Sequence, residues 1–462
     1  MKRLLFALYA ALTWLAQPLL RRKLVRRARR EPGYGVAIEE RFGRYRQPAE
    51  QQSELLWVHA VSLGETRTAG ILLKALRQAQ PELRLLLTHG TATGRAAGQS
   101  LLRPGDVQVW QPWDSRAAVA RFFNHFKPRL GLLMETEVWP ALLAAAQQRR
   151  VPMVLVNARL SEKSLAQALR VSPLAFPAYA ALAVVLAQTP ADAARFAELG
   201  VNAPVLGNLK FDAAPDPEQL ARGAVWRTGL NTAVVLFASS REGEETGFFE
   251  QIAALVQVSP ACAAMNSGVN ENPKAAATPT RPAHFLVVPR HPQRFDEVAA
   301  LAAQHGLSVS RRSQWPTDGP AACVEAMAAD IWLGDSVGEM ALYYALADVA
   351  PLGGSFAPLG GQNLIEAAAC ACPVLMGPHV FNFAEAARQA AVAGAAQSVP
   401  DMAHAVAAAL AWVNNNAARQ LASTAGRAFA ASNQGATART VQALQPWLGP
   451  DCPPPVKGMT GT

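Results

Sequence analysis

The chain has 462 residues, 51% of them hydrophobic and 17% charged, which is too long for one ordinary core and too apolar for a disordered chain. Two globular domains are therefore expected. A formal net charge of +9 favours anionic partners, and because few aromatics interleave the basic runs and no nucleic-acid module is present, acidic lipid and phosphorylated ligands are expected and nucleic acid is not.

Residues 4–20 read LLFALYAALTWLAQPLL, without a charge. Lys2 and Arg3 precede them, and Arg21, Arg22, Lys23, Arg26, Arg27, Arg29 and Arg30 follow. The apolar run lies at the short end of what crosses a bilayer, and the larger basic cluster behind it places the body on the cytoplasmic side. Residues 1–30 are thus expected to be a membrane anchor with a spanning N-terminal helix and a polybasic segment. The alternatives are an amphipathic helix lying in the interface with its arginines on anionic lipid, and a signal peptide, for which no small-residue cleavage site follows.

From residue 55 onward, short apolar runs alternate with helical stretches. Strands are predicted at 55–59, 83–88, 107–111, 130–134, 151–156, 184–187 and 205–206. Continuous apolar strands alternating with helices imply a parallel sheet covered on both faces. In the block Trp57-Val58-His59-Ala60-Val61-Ser62-Leu63-Gly64-Glu65-Thr66 a strand end meets a Ser-x-Gly corner, and Glu65 opens the next helix. Open α/β sheets bind ligands at that edge, and a carboxylate there can take a proton from a substrate hydroxyl. A helix-start acid also favours the helix electrostatically, so the position alone does not separate the two roles. Farther on, Glu135 and Glu137 follow another strand; two acids two apart on a strand share a face, and spacing does not choose between them.

The pattern pauses at the Pro- and Asp-containing stretch 204–217 and restarts with strands at 233–238, 285–289, 331–333, 349–352, 373–376 and 397–399. Two doubly wound domains are expected, 31–210 and 211–449, with the ligand site in the cleft between them. The Ala-, Asn-, Pro- and Thr-rich stretch 260–281 reads as a surface loop insertion, and the Pro/Gly-rich stretch 450–462 as a disordered tail. Five scattered cysteines, with no His or second Cys pair at metal spacing, imply neither a disulfide framework nor a structural zinc.

Two blocks of the second half carry nucleotide-site chemistry. In Val288-Pro289-Arg290-His291-Pro292 a strand runs into a rigid turn, so the Arg290 guanidinium projects at the strand's C-terminal edge, where it can fork onto a phosphate. The second block places Gly353-Gly354-Ser355 after a strand, then Gly360-Gly361, then a helix starting at Asn363 with Glu366 in its first turn. Glycines allow close backbone approach, the helix start offers N–H donors to phosphate, and Glu366 is placed to accept from ribose hydroxyls. Glu339, at its own helix start, is a second candidate of that type. The absence of G-x-x-x-x-G-K-[ST], and of G-x-G-x-x-G after the first strand, argues against P-loop phosphotransfer and dinucleotide redox chemistry.

With these blocks Arg41-Phe42-Gly43-Arg44-Tyr45, Met134-Glu135-Thr136-Glu137-Val138-Trp139-Pro140, Asn157-Ala158-Arg159-Leu160-Ser161, Gly207-Asn208-Leu209-Lys210-Phe211-Asp212 and Arg241-Glu242-Gly243-Glu244-Glu245, the chain resembles the bacterial 3-deoxy-D-manno-octulosonic acid (Kdo) transferases, inner-membrane glycosyltransferases that place Kdo on lipid A precursor. The resemblance implies a GT-B fold of two Rossmann-like domains facing a cleft, an acceptor-binding first domain and a CMP-sugar-binding second one. It also implies CMP-Kdo as donor, lipid A precursor as acceptor, no catalytic metal, and a body held at the inner membrane by anionic lipids. Position by position, Glu65 matches the general base, Glu135 and Lys210 match residues that stabilise the transition state, and Pro289, Arg290, Val337, Gly338, Glu339, Asn363, Leu364, Ile365 and Glu366 match CMP contacts. The chain departs from the family at Gln362, where His is frequent, and at Ser240-Arg241, where Thr-His is common. A non-catalytic scaffold would lack reason to keep Glu65, Glu135 and Glu366, and a nucleotide-sugar epimerase would lack reason for the Arg-flanked N-terminus.

Overall fold

A computed structural model describes residues 2–51, 54–265 and 281–449. They form two compact units: one is the chain up to Asp212 together with the stretch from Gln434 on, the other is Ala213–Asn433.

The first unit is built on six strands, β1 (Leu56–His59), β2 (Leu85–His89), β3 (Val107–Trp110), β4 (Leu130–Met134), β5 (Met153–Ala158) and β6 (Val184–Ala187). All neighbours pair in parallel, in the order β3-β2-β1-β4-β5-β6. Winding reverses at β1, whose Leu56 pairs with Leu85 on one side and Leu130 on the other. Successive side chains leave a strand on opposite faces. Leu55 and Trp57 accordingly pack with Phe122, Leu133 and Leu155, while Leu56 and Val58 pack with Leu72, Leu132 and Val156. Helices cover both faces, which is why these strands show no polar alternation. The short run expected at 205–206 forms only a parallel bridge from Val205 to Ala187.

The second unit holds β7 (Val234–Ser240), β8 (His284–Pro289), β9 (Val309–Arg311), β10 (Ile331–Leu333), β11 (Ala350–Leu352), β12 (Val374–Met376) and β13 (Ala396–Ser398). Their order is β13-β12-β11-β7-β8-β10-β9, again all parallel. The reversal here lies at β7, between β8 and β11. The edge strand β9 has no counterpart in the sequence reading, because three residues with one buried serine between two half-buried neighbours give no apolar signal.

Three expectations change. First, the helix Ala436–Leu448, counted by sequence with the second domain, belongs to the first unit. Its Ala436, Leu444 and Leu448 join the cluster containing Leu72, Leu73 and Leu76, the Gln80 amide donates to the Leu448 carbonyl at 2.9 Å, and the Asp212 carboxylate accepts the Gly435 and Thr437 N–H groups at the helix start. The apolar stripe finds its complement in the first core, so the chain crosses back.

Second, the expected spanning helix at 4–20 is replaced by two helices, Lys2–Leu15 and Gln17–Ala28, separated at Ala16 and with Pro18 in the first turn of the second. Among the described residues no helix is long and apolar enough to cross a membrane. A helix of 14 residues is about 21 Å long, short of a hydrocarbon core of about 30 Å. One face is held by the first unit: the Tyr9 hydroxyl donates to Asp114 at 2.7 Å, Arg116 sits over the Phe6 ring, Leu24 is buried and Arg21 pairs with Glu39. Leu8, Leu12, Leu15 and Leu19 recur at helical spacing on an outward stripe and are 54% to 68% exposed.

Third, the helix Glu245–Met265 runs into the stretch read as a loop insertion at 260–281, of which residues 266–280 lie outside the described ones, as does the expected disordered tail 450–462. Replacing Leu444 by Ala is expected to cost about 2–5 kcal/mol, the range for truncating a buried leucine, and to appear in urea denaturation as early loss of the first unit, not the second.

Candidate active site

In the first unit the site starts where β1 ends. Ser62 caps the helix Leu63–Ala79, its Oγ accepting the Glu65 N–H. Glu65 reaches back: Oε2 accepts the Val61 N–H at 2.8 Å and Oε1 accepts the Ser62 hydroxyl at 2.8 Å. This reciprocal arrangement closes the helix start, so the structural role weighed from sequence is real and coexists with a presented acid. Burial raises the Glu65 carboxyl above the usual range; the Val61 amide and the Ser62 hydroxyl oppose that, and the neighbouring carboxylates Glu135 and Glu137 add to it. An acid poised upward in this way is the kind that serves as a proton acceptor near neutral pH.

Glu135 follows the last residue of the adjacent strand β4, so both acids leave the sheet where its winding reverses, the ligand-binding edge of open α/β sheets. The Glu135 backbone is left-handed, with φ 56°. Non-glycine residues held there carry a cost of about 1–3 kcal/mol. Two backbone bonds enforce it: the Glu135 N–H donates to Val156 at 3.0 Å, and its carbonyl accepts the Arg159 N–H at 3.2 Å. The turn ends the strand's alternation, so Glu135 and Glu137 do not share a face as a continuing strand would require. The Glu135 carboxylate meets Lys210 Nζ at 2.9 Å, with Arg159 Nε at 3.9 Å. Glu137 goes elsewhere: it accepts from Trp139 Nε1 at 2.8 Å and stands 3.7 Å from His59 Nε2. Burial pushes Glu137 up, but His59, Trp139 and Thr136 together outweigh it and hold the acid below the usual range.

Lys210 is delivered by the turn Leu209–Asp212. Asn157, also left-handed at φ 53°, accepts the Leu209 N–H on its side-chain oxygen at 3.0 Å. Asn208 accepts the Lys210 N–H at 3.0 Å. Sequence reasoning placed Asn157, Asn208 and Asp212 in recognisable blocks without giving them a task; the signal was Asn208 and Asp212, each two positions from Lys210, whereas the block of Asn157 held no expected site residue. His59, at the end of β1, and Asp114 were also missed. Asp114 accepts the Ala141 and Leu142 N–H groups at 2.9 and 2.8 Å, fixing the helix that begins directly after Glu137-Val138-Trp139.

In the second unit β8 ends at Pro289, and the Arg290 N–H donates to the Ser240 carbonyl at the end of β7. Arg290 Nε donates to Gln362 at 3.2 Å, so the residue that departs from the family pattern is in direct contact with a candidate donor ligand. Asn363 caps the helix Leu364–Ala369 by accepting the Ile365 N–H at 3.2 Å. Leu364 and Ile365 are each only 1% exposed, so a ligand can meet them through backbone alone. Glu366 and Arg290 both act electrostatically on the buried Tyr344, which places the two in one neighbourhood. Val337 is exposed, and Gly338, at φ 85°, offers its carbonyl to Gln219. Glu339 is engaged by Arg222 at 2.5 Å, Arg312 at 3.2 Å and the Ser336 hydroxyl at 2.6 Å, which limits the acceptor capacity expected of it toward ribose.

The glycine loop after β11 differs from the sequence expectation. Gly353 packs so tightly on Ser239 that an added Cβ would lie 2.2 Å from its carbonyl oxygen. The amides of Gly354, Phe356 and Ala357, which a phosphate could have used, are instead taken by the carboxylate of Glu244.

Residues 37–213 match the family model of the 3-deoxy-D-manno-octulosonic-acid transferases (kdotransferases). The chain is 47% identical to a 3-deoxy-D-manno-octulosonic acid transferase of Bordetella pertussis over 94% of this chain and 97% of that one. It is 29% identical to one of Haemophilus influenzae over 95% and 98%, and 30% identical to a probable mitochondrial one of Arabidopsis thaliana over 82% and 80%. Solved structures alike in fold include a glycosyltransferase of Rickettsia africae, at 12% identity, TM-score 0.52, 87% of this chain and 100% of that one. A UDP-GlcNAc 2-epimerase of Neisseria meningitidis follows at 12%, 0.54, 85% and 99%. Two parallel Rossmann-like sheets and such neighbours make the fold GT-B-like, and the extent of identity to the Bordetella relative decides the rest: the chain belongs to the 3-deoxy-D-manno-octulosonic acid transferase family of glycosyltransferases.

Proposed function

We propose that this transferase moves Kdo from CMP-Kdo to a hydroxyl of the glucosamine disaccharide of lipid A precursor (lipid IVA), with inversion, in lipopolysaccharide core biosynthesis. The observation that carries the reading is Glu65, a raised carboxyl held by Val61 and Ser62 at the winding reversal, beside Glu135, which follows the adjacent strand β4 and is paired with Lys210 from the turn Leu209–Asp212. The names of the relatives support the transferred sugar.

In this mechanism Glu65 accepts the proton of the acceptor hydroxyl as its oxygen bonds to the anomeric carbon. The bond from that carbon to the phosphate oxygen breaks with its electron pair, and CMP departs. Positive charge builds on the sugar and negative charge on the phosphate. Glu135 is suited to the first, Lys210 and Arg290 to the second, and preorganised charges of this kind are worth most in a water-poor site. CMP is a good leaving group, so no dedicated acid is required, and the resemblance to the family implies no catalytic metal. Pro289, Arg290, residues 337–339 and residues 363–366 hold the nucleotide.

The outward stripe of Leu8, Leu12, Leu15 and Leu19 with Trp14, followed by exposed Arg22, Lys23, Arg26, Arg29 and Arg30, supports a helix pair lying in the plane of the inner leaflet on its cytoplasmic face. Basic residues near an anionic surface contribute about 1 kcal/mol each.

Mass spectrometry of lipid IVA incubated with CMP-Kdo and the purified protein is expected to show added Kdo. Glu65→Ala is expected to lower turnover by about 10²–10⁴-fold, the usual worth of a general base, with CMP affinity unchanged; retained turnover refutes the assignment. The acid limb of the kcat/KM profile should lie above the ordinary glutamate range, because Glu65 must be ionised to act. Glu137→Gln, which removes a like charge, should move that limb to lower pH; a limb that stays in place removes Glu137 from the electrostatics of the base. Replacing Leu8, Leu12 and Leu15 together by Ser should abolish co-flotation with anionic vesicles while the melting temperature stays that of the parent, and undiminished flotation would reject the in-plane docking.

A further inference from the structure

The block Arg241-Glu242-Gly243-Glu244-Glu245 marks the family, yet the mechanism above gives it no task. Glu244 is 4% exposed and its carboxylate accepts four backbone N–H groups. Oε2 takes Gly354 at 2.7 Å and Arg241 at 2.9 Å; Oε1 takes Phe356 at 3.0 Å and Ala357 at 3.1 Å. One buried anion thus joins the segment leaving β7 to the loop leaving β11, the two strands at which the second sheet reverses. The loop conformation it gathers is one that needs such a partner: Gly354 is left-handed at φ 69°, and its carbonyl accepts the Gly361 N–H at 2.6 Å. Gly361 leads directly into Gln362, which touches Arg290, and Asn363, which starts the next helix.

The adjacent acid grips the other wall. Glu245, fully buried, accepts both terminal nitrogens of Arg294 at 2.7 and 3.3 Å and the Ser240 hydroxyl at 2.8 Å. Arg294 closes the short turn that follows Pro289-Arg290-His291. Two neighbouring carboxylates therefore hold the two segments that carry the candidate nucleotide ligands.

We propose that Glu244 is a positioning residue for the donor: by filling the amide nest of residues 354–357 with a protein carboxylate, it sets the loop that presents Gln362, Asn363 and the first turn of the following helix to the CMP group. The inference rests on the donor reading given above. It follows that the nest is a structural anion site, which leaves the phosphate of the donor reading to Arg290.

The test is Glu244→Gln, which keeps one acceptor oxygen and turns an amino group toward two of the four N–H donors. Calorimetric titration with CMP and steady-state kinetics on the full chain are compared with the parent. A rise of about tenfold or more in the CMP Kd and in the KM for CMP-Kdo, equivalent to about 1.4 kcal/mol, is expected, with kcat and the KM for lipid IVA within about twofold of the parent because no group at the reacting atoms changes. Unchanged CMP binding and KM in a folded variant overturn the inference and leave the donor reading standing, as does a fall in kcat at constant donor KM. Failure of the parent itself to bind CMP removes the donor reading and the inference with it. If Glu244→Gln does not fold, Glu244→Asp, which keeps the charge, is measured against the same thresholds; if neither folds, Glu244 is a folding element and the positioning role is rejected.

Discussion

Three carboxylates converge at one edge of the first sheet, and the pairing of Glu135 with Lys210 is what lets them share it. Like charges held close in a partly buried site raise each other's pKa and destabilise the fold. Lys210 compensates Glu135, and His59 with Trp139 compensates Glu137. Glu65 is left to two hydrogen-bond donors, Val61 and Ser62, which do not offset its burial, so its carboxyl stays above the usual range while that of Glu137 is held below it. The ammonium reaches its place through a chain of ordinary contacts. Asn157 holds Leu209, Asn208 holds Lys210, and two residues on, Asp212 caps the helix that brings the C-terminal stretch back to the first core. One short turn thus serves chemistry and domain architecture together.

Both units use the same topological device. A parallel sheet that winds outward in both directions leaves a gap between the connections at the reversal, and the residues just past the strand ends line it. In the first unit those residues are Glu65 and Glu135. In the second they are Arg241 to Glu245 and the glycine loop. The difference is chemical: the first edge holds a basic carboxyl beside an ion pair, whereas the second holds an acid already saturated by four amides, with a guanidinium nearby. Saturation makes Glu244 part of the scaffold, and the rigidity it confers falls on the loop next to Arg290.

The N-terminal helices join these sites to the surface around them. Tyr9 binds Asp114, and Asp114 caps the helix that starts immediately after Glu137, Val138 and Trp139. Tyr9 lies about a quarter turn from the leucine stripe on the first helix, so the same segment can be anchored to protein on one side and present apolar surface on another. A spanning segment would need about 20 consecutive apolar helical residues, whereas this first helix has 14 and ends at Leu15.

Sequence alone determined every described strand except the edge strand β9, their parallel character and the edge on which Glu65 stands, because apolar runs bounded by Ser-x-Gly or Pro corners are local signals that the sheet preserves. It also determined the family, since ordered blocks extend through both halves. Tertiary structure decided what depends on partners remote in the chain. Glu135 and Glu137 looked equivalent by spacing; a left-handed backbone imposed by β5 sends one to Lys210, 75 positions onward, and leaves the other with His59. The glycine loop looked like a phosphate cradle; an acid some 110 positions earlier fills it. The last helix looked like part of the second domain, and the first like a membrane span. In each case composition fixed that a surface is apolar or a nest anion-binding, and only packing could fix which partner fills it, because complementarity is a property of two surfaces and the chain carries them far apart.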